Sequence, residues 1–159
     1  MRTSAKVSFC LLLMMETLIG CKPMIRNGAM VAGYRNSTCI PVRFGPGILP
    51  PTRAWDFTMT TKKGLTVRIL GATMPGGRIT VRYLPEGTET VAANAGDYIY
   101  PADVRLDSGS DTLFIKASGI TAALSQPQTW LFEYDLNNRQ QIARNRVDPS
   151  VLPEECQIK

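Results

Sequence analysis

From Trp55 onward, apolar and polar residues alternate along the chain with a period of two. The alternation covers residues 55–60, 65–69 and 78–83. Alternate side chains of an extended strand face the same side of a sheet, so this period is typical of strands with one buried face. The side chains predicted to face inward are Trp55, Phe57, Met59, Leu65, Val67, Ile69, Ile79, Val81 and Tyr83.

Turn signals separate these strands from several more. Met74-Pro75-Gly76-Gly77, Pro85-Glu86-Gly87 and the stretch Asp107–Asp111 have the composition of tight turns. After Asn137-Asn138, residues 139–147 predict the return strand of a hairpin, because asparagine tolerates positive φ angles; a short helix is the alternative there. Further strands are predicted at 89–93, 97–100, 104–107, 112–117 and 128–136.

About eight or nine short strands with regular turns predict an all-β fold. We expect a single antiparallel β-sandwich of immunoglobulin-like or transthyretin-like shape, with a barrel as the alternative. Residues 21–54 are rich in glycine and proline and show no helical period. They predict an irregular tether that becomes an edge strand near Cys39–Phe44, so the sandwich domain is expected to occupy residues 55–159.

The amino-terminal residues 1–20 have the character of an export signal. Two basic residues precede the apolar run Val7–Gly20, which Glu16 interrupts and which is shorter than the roughly 20 residues of a membrane-spanning helix. Leu18-Ile19-Gly20-Cys21 resembles the lipobox of bacterial lipoproteins, a resemblance limited to the first 21 residues. It implies that Cys21 becomes the first mature residue and carries acyl chains, and Lys22 then favours the outer membrane, facing the periplasm. The alternative is a plain signal peptide, or a buried strand, with Cys21 incidental.

The four cysteines agree with this interpretation. Cys10 would leave with the signal and Cys21 would be lipidated, so that Cys39 and Cys156 remain as an even pair in an oxidising compartment. A disulfide between them is therefore expected. A metal pair or a redox pair is the alternative, although the chain has no histidine and no Cys-x-x-Cys.

The composition of the chain indicates few residues suited to catalysis or metal binding. The net charge is +5, and it becomes +4 when Arg2, Lys6 and Glu16 leave with the signal. The lack of histidine removes the commonest general base and metal ligand, and no nucleophile or phosphate-binding motif is present. We therefore predict no catalytic residue, no metal, no cofactor, no nucleic-acid partner and no small-molecule substrate. Calcium is a weaker alternative, since acids are dense at Asp97, Asp103, Asp107 and Asp111.

One basic surface is predicted. If the apolar residues of the hairpin over 65–83 point inward, its arginines point outward on adjacent strands. Arginine pairs well with carboxylates and phosphates, so this face is a candidate docking surface for an acidic partner or lipid headgroup. A plain solvated face is the alternative. The residues are Lys62, Lys63, Arg68, Arg78 and Arg82.

Three functions follow from these features. The first is a non-catalytic outer-membrane lipoprotein that docks envelope proteins as an accessory component of an assembly. The second is a periplasmic inhibitor or immunity lipoprotein against a toxin or a cell-wall hydrolase. The third is a hydrolase of envelope polymers, which would require two carboxylates to converge in a cleft.

Overall fold

The computed structural model describes residues 28–44, 53–74, 76–94, 99–119 and 127–157. The elements in chain order are α1 (Gly28–Asn36), β1 (Thr38–Cys39), β2 (Arg43–Phe44), β3 (Arg53–Thr60), β4 (Thr66–Ala72), β5 (Arg78–Leu84), β6 (Glu89–Asn94), β7 (Ile99–Asp107), β8 (Thr112–Gly119), β9 (Gln128–Asp135) and β10 (Gln140–Val147), followed by a 3₁₀ turn (Pro149–Val151).

The strands form two five-stranded antiparallel sheets. Sheet A has the order β1-β7-β8-β9-β10, and sheet B has the order β2-β3-β4-β5-β6. The predicted all-β sandwich is confirmed, and the described strands close no barrel. Within each sheet, consecutive strands lie side by side as a meander, with β1 added beside β7. In an immunoglobulin fold the chain instead alternates between the two sheets.

The main core lies between the two sheets. Val67, Ile69, Ile79, Val81 and Tyr83 are all buried, as the alternation predicts. On β3, Trp55 is fully buried. Phe57 and Met59 of the same strand are half-buried against this core. Each fully buried aliphatic side chain contributes about 1.5–3 kcal/mol, so this layer supplies most of the driving force for folding.

A second apolar cluster covers the opposite face of sheet A. Met30 and Tyr34 of α1 pack against Phe114, Leu131 and Val147. The strands β8 and β9 of sheet A are therefore largely buried on both faces, whereas the edge strand β10 is mostly exposed and the outer face of sheet B is half-exposed.

The helix α1 corrects the predicted irregular tether. Residues 28–36 are helical, and β1 and β2 then join the two sheets, so the folded part begins before residue 55. The nine-residue helix contains two glycines and has no acidic residue in its first turn. So short a helix is marginal alone, and its packing on sheet A stabilises it.

Two local predictions also differ from the structure. Residues 99–107 form one strand, β7, where two strands were expected, and a bulge between Pro101 and Asp103 accommodates the proline. The hairpin of β9 and β10 is confirmed. Its positive φ falls on Arg139, at 57°, rather than on an asparagine.

Candidate functional site

Two of the predicted basic residues lie side by side on the outer face of sheet B. Arg68 of β4 and Arg82 of β5 are direct register partners. Each alternates with buried neighbours, so each side chain points away from the core, as the period of two predicts.

Both arginines are paired with acids. Arg68 donates from Nε and Nη2 to the two carboxylate oxygens of Asp56, at 2.7 and 2.8 Å. Arg82 donates from Nε and Nη2 to Oε2 of Glu89, at 3.1 and 2.9 Å. The hydrogen bonds from Arg68 lower the pKa of Asp56. These four side chains form a charge-balanced row across β3, β4, β5 and β6, hereafter the charged row.

The other three predicted residues lie apart from the charged row. Lys62 and Lys63 are in the turn between β3 and β4, where the Nζ of Lys62 donates to the carbonyl of Gly109 at 3.3 Å. Arg78 begins β5 and is opposite Asn94, at the other end of the sheet. The structure therefore brings together two of the five predicted residues, and the row they form is balanced rather than cationic.

The expected disulfide is present. Cys39 of β1 and Cys156 of the carboxyl-terminal tail are bonded; their Cα atoms are 5.7 Å apart, and the residues are 117 positions apart in the sequence. The bond fastens the tail to the edge strand of sheet A.

A buried carboxylate beside the disulfide binds both α1 and the carboxyl-terminal tail. Asp103 of β7 is 1% exposed. Its Oδ2 accepts hydrogen bonds from the hydroxyl of Tyr34 at 2.5 Å and from Nε of Arg105 at 2.9 Å. Its Oδ1 accepts the backbone N–H of Cys156 at 3.2 Å. Helix, sheet and tail thus meet at one residue, and we call Tyr34, Asp103, Arg105 and Cys156 the tail cluster.

The tail cluster is well satisfied. Arg105 also donates from Nη2 to the carbonyl of Glu154 at 2.6 Å, and its guanidinium lies 4.7 Å from the centre of the Tyr34 ring. Burial raises the pKa of Tyr34, and the charge of Asp103 raises it further. The phenol therefore stays protonated and remains a donor to the carboxylate.

Glu155 connects the carboxyl-terminal tail to sheet B as well. It accepts from Arg53 of β3 at 2.6 Å and forms an ion pair with Lys116 of β8 at 2.9 Å. Burial alone would raise the pKa of Glu155, but the hydrogen bonds from Arg53 and Lys116 outweigh it and lower the pKa. The tail therefore bridges both sheets.

The chemistry of the tail cluster is structural. The sulfurs of Cys39 and Cys156 and a carboxylate oxygen of Asp103 lie within 4.8 Å of one another, which is a spacing suited to metal ligands. The sulfurs are bonded to each other, however, and the carboxylate already accepts hydrogen bonds on both oxygens. The adjacent guanidinium of Arg105 also repels a cation.

The acid-dense stretch weighed for calcium is also accounted for by hydrogen bonding. Asp107 accepts from the backbone N–H of Gly109 and the hydroxyl of Ser110, which lower its pKa. Asp111 accepts the backbone N–H of Lys62 on both oxygens. Asp97 lies outside the described residues. The described acids of this stretch therefore serve turns and interior contacts.

Two arginines at or next to β10, the edge strand of sheet A, contact aromatic side chains. The guanidinium of Arg144 lies 4.9 Å from the Trp130 ring and 5.3 Å from the Phe132 ring. Arg139 lies 4.2 Å from the ring of Tyr83 and pairs with Glu86. Sequence periodicity could not find this surface, because it arises where the edges of two sheets meet.

The chain matches no protein-family model, and searches of curated proteins and of solved structures found no similar protein. No helix among the described residues has the length and apolar character needed to cross a bilayer. The predicted lipidation residue, Cys21, lies outside the described residues.

Proposed function

We propose that this protein is a non-catalytic outer-membrane lipoprotein, anchored through Cys21, that presents a β-sandwich to the periplasm as a docking component of an envelope assembly. The observation that carries the proposal is the Cys39–Cys156 disulfide. Such bonds persist in oxidising compartments outside the cytosol. The pairing also leaves Cys21 as the one cysteine after the signal that is available for acylation.

The outer face of sheet B is the docking surface in this proposal. The charged row crosses four strands and remains accessible, since its side chains are between 41% and 43% exposed. Its order is acid, arginine, arginine, acid. A partner that carries the complementary order would exchange these intramolecular ion pairs for intermolecular ones, so the row favours selectivity over strength.

The first experiment measures the mass of the mature amino terminus and the membrane fraction that contains the protein, beside a Cys21→Ser variant. We expect an acylated Cys21 in the outer membrane, and we expect the variant to be released from it. An unacylated wild-type protein would overturn the lipoprotein proposal.

The docking role needs a second experiment in the native envelope. A photo-crosslinking residue at Thr80, which lies two positions before Arg82 on the outer face of β5, should give discrete crosslinked envelope proteins. The same residue at Ser110, in the exposed turn between β7 and β8, is the control and should give none. Capture of one soluble hydrolase or toxin by Thr80 would instead support the inhibitor function.

A further inference from the structure

The helix α1 sets the side of the sandwich from which the amino-terminal segment leaves. Near its start, the Sδ of Met30 accepts a hydrogen bond from Asn145 of β10 at 3.2 Å. Near its end, Tyr34 contacts Asp103 of β7. The helix therefore crosses sheet A from β10 towards β7, and Gly28 lies on the β10 side.

The linker between Cys21 and the helix is short. It consists of residues 22–27, and a chain of this length spans at most about 25 Å when fully extended. Lengthening it by unwinding the first turn of α1 would pull Met30, which is 2% exposed, out of its packing on sheet A and break its hydrogen bond from Asn145. A lipid on Cys21 would thus hold the β10 side of the domain close to the bilayer.

The β10 edge, which is the strand Gln140–Val147, has the composition to face such a surface. It contains no acidic residue. Arg144 and Arg146 are exposed on it, and neither forms an ion pair within the part of the chain that the structure describes. Ile142 is 48% exposed on the same strand. The stacking of Arg144 on Trp130 and Phe132 holds one guanidinium at the edge.

A second copy of the chain fits this edge poorly. Antiparallel pairing of two β10 strands would bring Arg144 and Arg146 of both copies into one seam, where like charges repel. Anionic lipid headgroups offer the opposite charge, and their phosphates accept the paired N–H groups of a guanidinium.

We propose, resting on the function proposed above, that the β10 edge lies against anionic lipid headgroups when Cys21 is anchored. Arg144 and Arg146 bind headgroup phosphates, and Ile142 contacts the interface between headgroups and acyl chains. The outer face of sheet B, with its charged row, is then clear of the bilayer and open to protein partners.

The test uses the acylated protein in vesicles that contain a headgroup-spin-labelled lipid. The chain has two tryptophans. Trp130 lies beneath Arg144 at the edge, whereas Trp55 is buried in sheet B. With Trp55→Phe and Trp130→Phe as single-tryptophan variants, we expect stronger quenching of Trp130 than of Trp55. We expect this only when phosphatidylglycerol accompanies phosphatidylcholine, with each intensity taken relative to vesicles without the spin label.

Charge-matched variants identify the contact. Arg144→Gln with Arg146→Gln should lower the equilibrium constant for docking by about 30-fold, the factor that two basic residues supply near an anionic surface. Arg68→Gln with Arg82→Gln removes the same charge from the outer face of sheet B and should leave the vesicle-bound orientation unchanged, whatever its effect on protein partners. Hydrogen exchange on wild-type protein gives a second measurement free of the tryptophan substitutions, with the β10 amides protected by anionic vesicles and the β4 amides unaffected.

The outcomes separate the two proposals. Acylated protein in which both tryptophans are quenched alike, or in which Arg68 and Arg82 control the effect, would overturn the lipid-facing edge and leave the lipoprotein function standing. An amino terminus without acyl chains would overturn the lipoprotein function and this orientation with it.

Discussion

Individual polar residues are buried in this protein where several donors converge on them. Asp103 has three such donors, and both of its oxygens are used. A buried carboxylate without them would cost several kcal/mol, which is why isolated buried charges are rare. The tail cluster is therefore a point at which loss of one member affects the helix, the sheet and the tail together.

Glu133, in contrast to Asp103, is a carboxyl group whose ionised form is disfavoured by burial. It is half-buried on β9, and burial raises its pKa. The unfolded chain therefore releases this proton more readily than the folded one, so stability falls as the pH rises through the interval between the two pKa values. We expect Glu133→Gln to raise the melting temperature at neutral pH, with the difference disappearing well below 4.5, the ordinary pKa of the side chain.

Glu155→Gln serves as the control for this experiment. The pKa of Glu155 is lowered, so its ionised form stabilises the fold, and that contribution is lost as the pH falls through the folded pKa. The variant should therefore melt lower than wild type at neutral pH. Thermal denaturation followed by circular dichroism checks both signs, and a shift in the same direction for the two variants would contradict the assignment.

Among the elements, α1 depends on a close approach to sheet A. A Cβ at Gly33 would lie 2.6 Å from the ring of Phe114, whereas a Cβ at Gly28 would meet nothing within 4 Å. We expect Gly33→Ala to cost about 1–3 kcal/mol of unfolding free energy by overpacking, and to increase hydrogen exchange in α1. Gly28→Ala should stay within about 0.5 kcal/mol of wild type. Equal effects of the two substitutions in urea denaturation would show that the contact with Phe114 is unimportant.

The strands were predictable from the sequence, and the helix was not. Alternation over 78–83 depends on local burial and needs no knowledge of the fold. The helix depends on Met30 and Tyr34 meeting Phe114 and Leu131, which lie far away in the chain. The glycines of α1 do not predict a helix, so the helix can be recognised only from its tertiary packing.

The candidate surface was predictable only in part. Adjacent strands must place Arg68 and Arg82 on one face, so their proximity followed from the pattern. Their pairing with Asp56 and Glu89 depends on the strand register, which the pattern leaves open. The charge balance of the row could therefore be found only from the structure.

At the scale of the whole molecule, the disulfide between β1 and the carboxyl-terminal tail closes most of the described chain into one covalent loop. A loop of 117 residues corresponds to about 5 kcal/mol in the chain-entropy description, and removal of native disulfides commonly costs about 2–5 kcal/mol. We expect Cys39→Ser with Cys156→Ser to lower the unfolding free energy by that amount in urea denaturation. Cys21→Ser should leave it unchanged, and an unchanged stability without the disulfide would mean that the tail cluster suffices.

The same closure determines the order in which the chain can be completed during synthesis. Sheet B uses consecutive strands between Arg43 and Asn94, so its hairpins can pair as soon as they emerge. The strand β1 must wait for β7, and its covalent partner Cys156 comes after β10 in the chain. The helix α1 is thus synthesised before both described sheets, but it can pack on sheet A only after β8, β9 and β10 have been made.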